Sequence, residues 1–355
     1  MKQKTKRIAD YIKNQITYYT TTSMNQPHLI ELILTFRCNQ KCPHCDSQKI
    51  KGTKELTINQ WKDIVKKINR WLGPKPICLA GGEPLLKKGV YDLVSSISKN
   101  NKVYIMTNGQ HDEKTAKRLV ESNISQILIS FYSLNPRIHD SIRGTKEAHK
   151  RAKNFIEELL KEKKKQKKDI RIDLSFLLTS KNFREAPAFI KHFSKKEIYT
   201  SLTPLRRNPL DIFSEDFKFY NKYWYKKSSL WINDKEEFVK IIKKIICMKK
   251  KGYLINNYIN TLKKFVDYFE NPSQLNKFNC YMPLLNFVIG PMGDVRLCYY
   301  SRNIGNVIKK DPKGIWYSEE RMNEIKRLKK CTNYCRIHNN YNFINLDEKI
   351  RFLFE

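Results

Sequence analysis

The sequence predicts an α/β fold: a partial, TIM-like (β/α)6 barrel followed by a smaller, cysteine-bearing unit. Three observations predict it. Strand-like apolar runs alternate with amphipathic helical segments six times between residues 29 and 205. The strand runs are almost continuously apolar, as strands covered on both faces are. After Leu205 the alternation stops, and a group of four cysteines follows between residues 280 and 335. Periodicity alone also admits an open doubly wound sheet. In either architecture the loops at the carboxyl ends of the strands carry function.

The elements follow in order. Residues 30–36 (IELILTF) form the first strand. Thr57 caps a helix whose apolar face is Ile58, Trp61, Ile64, Val65, Ile68 and Leu72. Pro76 to Ala80 make a second strand that runs into GGEPLL, and Tyr91 to Ser98 a helix. Val103 to Met106 are the third strand, ending in the turn signal Thr107-Asn108-Gly109. Asp112 to Ser122 read as a helix and Gln126 to Phe131 as the fourth strand; a loop and a long helix over about 146–165 follow. Ile170 to Leu178, Phe183 to Phe193 and Ile198 to Leu205 complete the alternation as strand, helix and strand. Residues 206–232 are irregular and rich in aromatics, which are expected to pack a domain join rather than line a cleft. Helical patterns over about 234–250 and 253–270 follow, then a hairpin turning at Pro291-Met292-Gly293-Asp294, then a helix over about 314–329. These readings divide the chain into an N-terminal helical extension (1–28), the barrel (29–205), an aromatic-rich helical connector (206–275) and a C-terminal unit (276–355).

The chain has 355 residues, 40% of them hydrophobic, which is enough to bury a large core and excludes general disorder. No apolar run approaches the roughly 18 residues of a membrane span. The N-terminus is basic but lacks the apolar stretch of a signal peptide, so a cytoplasmic protein is expected. With 69 Lys and Arg against 35 Asp and Glu the net charge is +34, which makes nucleic acid the first partner to weigh. The lysines are spread along the whole chain, however, and the densest run, Lys161 to Lys168, suits the exposed end of a helix. A solvated lysine surface is the preferred reading, and no nucleic-acid or membrane partner is expected.

Nine cysteines carry more information; an odd number in a chain of this kind argues against a disulfide framework. Cys78 within the second strand and Cys247 on an apolar helix are expected to be small core residues. Cys38, Cys42 and Cys45 lie with three and two residues between them just past the first strand. No fourth cysteine or suitably spaced histidine completes a zinc set nearby. Three thiolates on a cubane iron–sulfur cluster leave one iron open to chelate a small molecule.

The spacing C-x3-C-x2-C after the first strand, followed by Gly81-Gly82-Glu83-Pro84 at the end of the second, resembles the radical SAM superfamily. The resemblance runs through most of the first 205 residues. It implies a partial (β/α)6 barrel, a 4Fe–4S cluster held by Cys38, Cys42 and Cys45, and S-adenosylmethionine (SAM) bound at the open iron. It further implies that His44 occupies the aromatic position before the third cysteine. Gly81, Gly82 and Glu83 would meet the methionine ammonium, Ser130 the ribose and Arg143 the SAM carboxylate. Leu202 to Leu205 (LTPL) would lie by the adenine. A flavodoxin- or ferredoxin-type protein is the implied reductant.

The second group is Cys280, then Gly293 and Cys298 (C-x12-G-x4-C), then Cys331 and Cys335. It resembles the start of the SPASM domain, in the shorter, four-cysteine twitch-type arrangement, with C-x3-C where C-x2-C is usual. The resemblance implies an auxiliary 4Fe–4S cluster saturated by four thiolates and used for electron transfer or architecture. Tetrahedral zinc would suit the same four cysteines. The implied chemistry is reductive cleavage of SAM to a 5′-deoxyadenosyl radical that takes a substrate hydrogen. Oxidative modification of a peptide or protein side chain is the first expectation. Dehydrogenation of a sugar-like or other small-molecule alcohol is the alternative, and action on nucleic acid the third. No catalytic base is assigned: Tyr299 and Tyr300 follow Cys298, where sulfatase-maturing relatives carry Asp.

Overall fold

Local sequence signals place the barrel elements where the alternation put them. The computed structural model describes residues 2–20, 22–47, 50, 54–207 and 223–338. A helix, α1 (Lys2–Thr20), precedes the barrel. The six strand–helix units then read β1 (Leu29–Thr35), α2 (Ile58–Leu72), β2 (Ile77–Gly81), α3 (Val90–Ile97), β3 (Val103–Thr107), α4 (Glu113–Glu121), β4 (Gln126–Ser130), α5 (Pro136–Arg143), α6 (Ala148–Lys165), β5 (Arg171–Leu178), α7 (Ala186–Ser194) and β6 (Tyr199–Pro204). At the head of α2, Thr57 and Gln60 form a reciprocal capping box, and Trp61, Ile64, Val65 and Ile68 bury one face. The basic run Lys161–Lys168 closes α6 and continues past it, as expected.

Beyond β6 come α8 (Lys235–Lys250), α9 (Ile259–Glu270), α10 (Met282–Leu285), the hairpin β7 (Asn286–Ile289) and β8 (Val295–Arg296), α11 (Pro312–Trp316) and α12 (Glu319–Lys329). The sheet order is β6-β5-β4-β3-β2-β1-β7-β8. All neighbours are parallel except β7 and β8. The six barrel strands therefore run in sequential order without β6 returning to β1. Instead, β7 pairs with the free edge of β1, with Glu31 opposite Val288. The C-terminal hairpin is thus continuous with the barrel sheet.

The sheet has two faces. Residues such as Ile129 and Phe176 meet the helices; Phe176 stacks edge-on against Phe189 of α7 with ring centroids 4.6 Å apart. The opposite face lines the concave interior. There Ile33, Phe36, Cys78, Ala80 and Val288 form a separate apolar cluster, against which Cys45 and Tyr299 pack. On the same face Met106 is 41% exposed, so the interior is open to solvent beside β3.

Four sequence readings need correction. The stretch between β4 and α6 is a helix rather than a loop: Asn135 caps α5, Pro136 sits in its first turn and Gly144 ends it. The helix expected from residue 253 starts at Ile259, because residues 254–256 are held extended along β6 by bonds to Thr200. The helix expected over 314–329 is two, since the Ser318 hydroxyl accepts from the Arg321 amide and starts α12 afresh. Cys247 is exposed, not a core residue, because α8 buries Phe238, Ile241, Ile242, Ile245 and Met248 instead. Cys78 is buried as expected. Of the aromatic stretch, Trp224, Tyr225 and Trp231 pack with Phe269 and Tyr334, joining the connector to the C-terminal unit. Phe213, Phe217, Phe219 and Tyr220 lie outside the described residues.

Candidate functional site

Cys38, Cys42 and Cys45 occupy the loop leaving the carboxyl end of β1. Cys42 is buried, and the other two are half-buried. The Cys45 amide donates to the Cys42 carbonyl at 3.1 Å, so the loop folds back on itself there. Burial pushes the Cys38 thiol up to about 11 and raises that of Cys42 as well. The thiols also raise one another, Cys42 acting on Cys38 and Cys45 on Cys42. The Arg143 guanidinium opposes this at both. Arg143 is itself buried; it donates to the Tyr132 hydroxyl at 3.0 Å and leaves its Nε without a partner. Next to it, Gly144 has φ +62°, and a Cβ there would stand 2.1 Å from the Lys41 carbonyl oxygen. The end of α5 thus abuts the cysteine loop backbone to backbone. His44 is half-buried, and desolvation first, then Arg143 and Arg206, lower its pKa to about 3, so its ring is neutral.

Glu83 is fully buried. Its Oε1 accepts from the Leu85 amide at 3.1 Å and the Thr107 hydroxyl at 2.9 Å, and its Oε2 from the Asn108 amide at 2.7 Å. The carboxylate therefore joins the end of β2 to the Thr107-Asn108-Gly109 turn of β3. Asn108 continues the chain of contacts: its Nδ2 donates to Asn39 Oδ1 at 2.6 Å and lies 3.8 Å from Cys38 Sγ. The Gly81-Gly82 pair is required by the protein itself. A Cβ on Gly82 would stand 2.4 Å from the Arg37 carbonyl oxygen and 2.5 Å from that of Phe36. Ser130 ends β4 half-buried, in register with Ser175. In LTPL, Leu202 is buried away from the interior with its amide bonded to Asn257, while Ser175 and Thr203 hydroxyls meet at 3.4 Å.

The second group comes from three places: Cys280 before α10, Cys298 after β8, and Cys331 and Cys335 after α12. Burial raises the Cys280 thiol to about 11 and raises those of Cys298 and Cys335 as well, and neighbouring thiols add to the rise. Arg336 holds the last loop, donating to the Cys331 carbonyl at 2.7 Å and Asn276 Oδ1 at 3.0 Å. Among the described residues no three Cys, His, Asp or Glu side chains are gathered tightly enough to grip one metal ion. The fit to clusters rests on the donor sets. The Cys38 and Cys42 thiols feel the Arg143 guanidinium and the Cys280 thiol feels that of Arg336, and a guanidinium can balance thiolate charge.

Three interior residues were not singled out as site residues from the sequence. The Tyr299 hydroxyl donates to Glu31 on β1. The Arg206 guanidinium, just past β6, stands 5.4 Å over the Tyr299 ring. Burial raises the Glu31 carboxyl, and the Tyr299 bond and Arg206 oppose the rise. The available signal was Glu31 itself: a carboxylate inside the otherwise apolar run IELILTF.

Comparison with known proteins agrees with this geometry. Residues 32–192 match the radical SAM superfamily model, and residues 280–338 match the SPASM model, an iron–sulfur cluster-binding domain. An Fe-coproporphyrin III synthase of Methanosarcina barkeri is 28% identical over 46% of this chain and 40% of its own length. A GTP 3′,8-cyclase of Rippkaea orientalis is 32% identical over 36% of this chain and 41% of its own. The chain thus spans about two fifths of the length of these curated relatives. Among solved structures, Streptococcus suis SuiB superposes with a TM-score of 0.63 at 15% identity, covering 96% of this chain and 80% of that one. The anSMEcpe protein with bound AdoMet gives 0.61 at 19% identity, covering 88% of each. Both likenesses establish the fold.

Proposed function

The chain belongs to the radical SAM superfamily and carries a SPASM domain, and from that premise we propose that it modifies a peptide or protein side chain oxidatively. The observation that carries the proposal is the joining of the two cysteine loops through the concave interior. Cys45 and Tyr299, the neighbour of Cys298, pack on the same five-residue cluster. A reduced 4Fe–4S cluster on Cys38, Cys42 and Cys45 would supply the electron that splits SAM into methionine and a 5′-deoxyadenosyl radical.

The chain's own residues do the positioning. Glu83 fixes the β2 and β3 ends that flank the cysteine loop, and Asn108 reaches Cys38. His44 lies within that loop and Arg143 beside it, Arg143 with an unused Nε. Cys280, Cys298, Cys331 and Cys335 would hold a second 4Fe–4S cluster that accepts an electron. A flavodoxin- or ferredoxin-type donor would reduce the first.

The peptide reading is supported by the structural neighbours: SuiB has been solved bound to the precursor peptide SuiA, and anSMEcpe with a Cp18Cys peptide. The small-molecule reading draws on the relatives named GTP 3′,8-cyclase and Fe-coproporphyrin III synthase. The test is anaerobic reconstitution with iron and sulfide, reduction with dithionite, and chromatography of the products. The proposal expects 5′-deoxyadenosine and methionine from SAM, with the yield rising when the cognate peptide is added. SAM left intact by the reconstituted, reduced protein would contradict it.

A further inference from the structure

We propose that Arg206 is the anchor for an anionic group of the substrate, a carboxylate or a phosphate, inside the concave face between the two cysteine loops. The inference rests on the reading above for its substrate, but the binding site stands on this chain's own geometry. Arg206 follows β6 at the carboxyl end of the sheet, where ligands of parallel α/β folds bind. It is half-buried. Among the described residues it forms no hydrogen bond or ion pair, and its one contact of note is the face of Tyr299 at 5.4 Å. Its neighbour Arg207, by contrast, is paired with Asp46 at 2.6 Å.

The position is central. The ring it faces, Tyr299, bonds Glu31 on β1 and packs on the apolar cluster that Cys45 of the first cysteine loop also meets. Glu31 is near enough to feel Arg206 but is bonded by Tyr299, so it does not consume the guanidinium. A partly desolvated guanidinium without an anion is costly, and a bidentate oxyanion is the ligand that its fork matches.

The test is arginine modification by phenylglyoxal, read by peptide mass spectrometry at each arginine of the full-length protein. Acetate, succinate, inorganic phosphate and SAM are added in separate arms, with the exposed Arg37 as an internal control. The proposal expects a carboxylate or phosphate to slow modification of Arg206 by about tenfold while Arg37 is unchanged. Protection by the carboxylates alone, or by phosphate alone, identifies the anion. The Arg206→Lys variant should hold the protecting anion in equilibrium dialysis, and Arg206→Met should not. Two results overturn the proposal: no protection by any anion, or protection by SAM alone, which would give Arg206 to SAM. Neither readout needs an iron–sulfur cluster, so failure here is separable from failure of SAM cleavage.

Discussion

Both carboxylate oxygens of Glu83 are taken up by the chain itself, through Leu85, Thr107 and Asn108. Glu83→Gln turns one acceptor into a donor facing a backbone or hydroxyl donor. The expected loss is about 1–3 kcal/mol of stability, seen as a lower denaturant midpoint in the protein before any cluster is added. A second residue sets the acid response. His139 is fully buried, its Nδ1 accepts from the Tyr132 amide at 3.1 Å and its Nε2 has no partner. Desolvation, helped by Arg143 and His149, lowers its pKa from 6.5 to about 2. The unfolded chain therefore binds this proton first, and the stability His139 contributes is full above pH 6.5 and falls as the pH drops below it. His139→Asn keeps an acceptor for Tyr132. It should make the slope of stability against pH shallower by about 1.4 kcal/mol per unit between roughly pH 6 and 4, measured by urea melts. At this scale the sequence shows which residue types matter and hides what they touch. The spacing of Cys38, Cys42 and Cys45 stands out in the sequence, whereas two of the Glu83 partners, Thr107 and Asn108, lie 24 and 25 residues away.

At the scale of elements, the strand–helix alternation is legible because buried parallel strands are uniformly apolar and their helices are amphipathic. What escapes is tertiary. Asn135-Pro136 and Gly144 are ordinary start and stop signals, yet the helix between them is only Pro136–Arg143 and reads easily as a loop. Residues 254–256 have helical composition around them but are drawn out by backbone bonds to Thr200. The pairing of β7 with β1 is likewise invisible in sequence, since the two strands are some 250 residues apart. It makes a prediction. Val288 is fully buried opposite Glu31. Val288→Asp sets a second buried carboxylate beside the first and should cost about 3 kcal/mol or more. Hydrogen exchange should then quicken at Leu29–Thr35 as well as at the hairpin; quickening at the hairpin alone would mean that β7 does not brace β1.

The described strands form one sheet in which β1 leads into the first cysteine loop while its neighbour β7 begins the hairpin that leads to Cys298. Glu31, Tyr299 and Arg206 span the interior between them. No helix among the described residues is long and apolar enough to cross a membrane. The net charge of +34 is spread over the chain, so binding to nucleic acid should be weak and fall steeply with added salt in a filter-binding titration. The central claim is that two separate cysteine sets hold two separate clusters. The most direct measurement is iron and sulfide content after anaerobic reconstitution, with EPR of the reduced protein, in wild type and in Cys38/Cys42/Cys45→Ala. The account predicts about eight irons in wild type and about four in the variant, with the variant keeping one cluster signal. About four irons in wild type and none in the variant, with zinc bound instead, would contradict it and leave the C-terminal cysteines a structural zinc site.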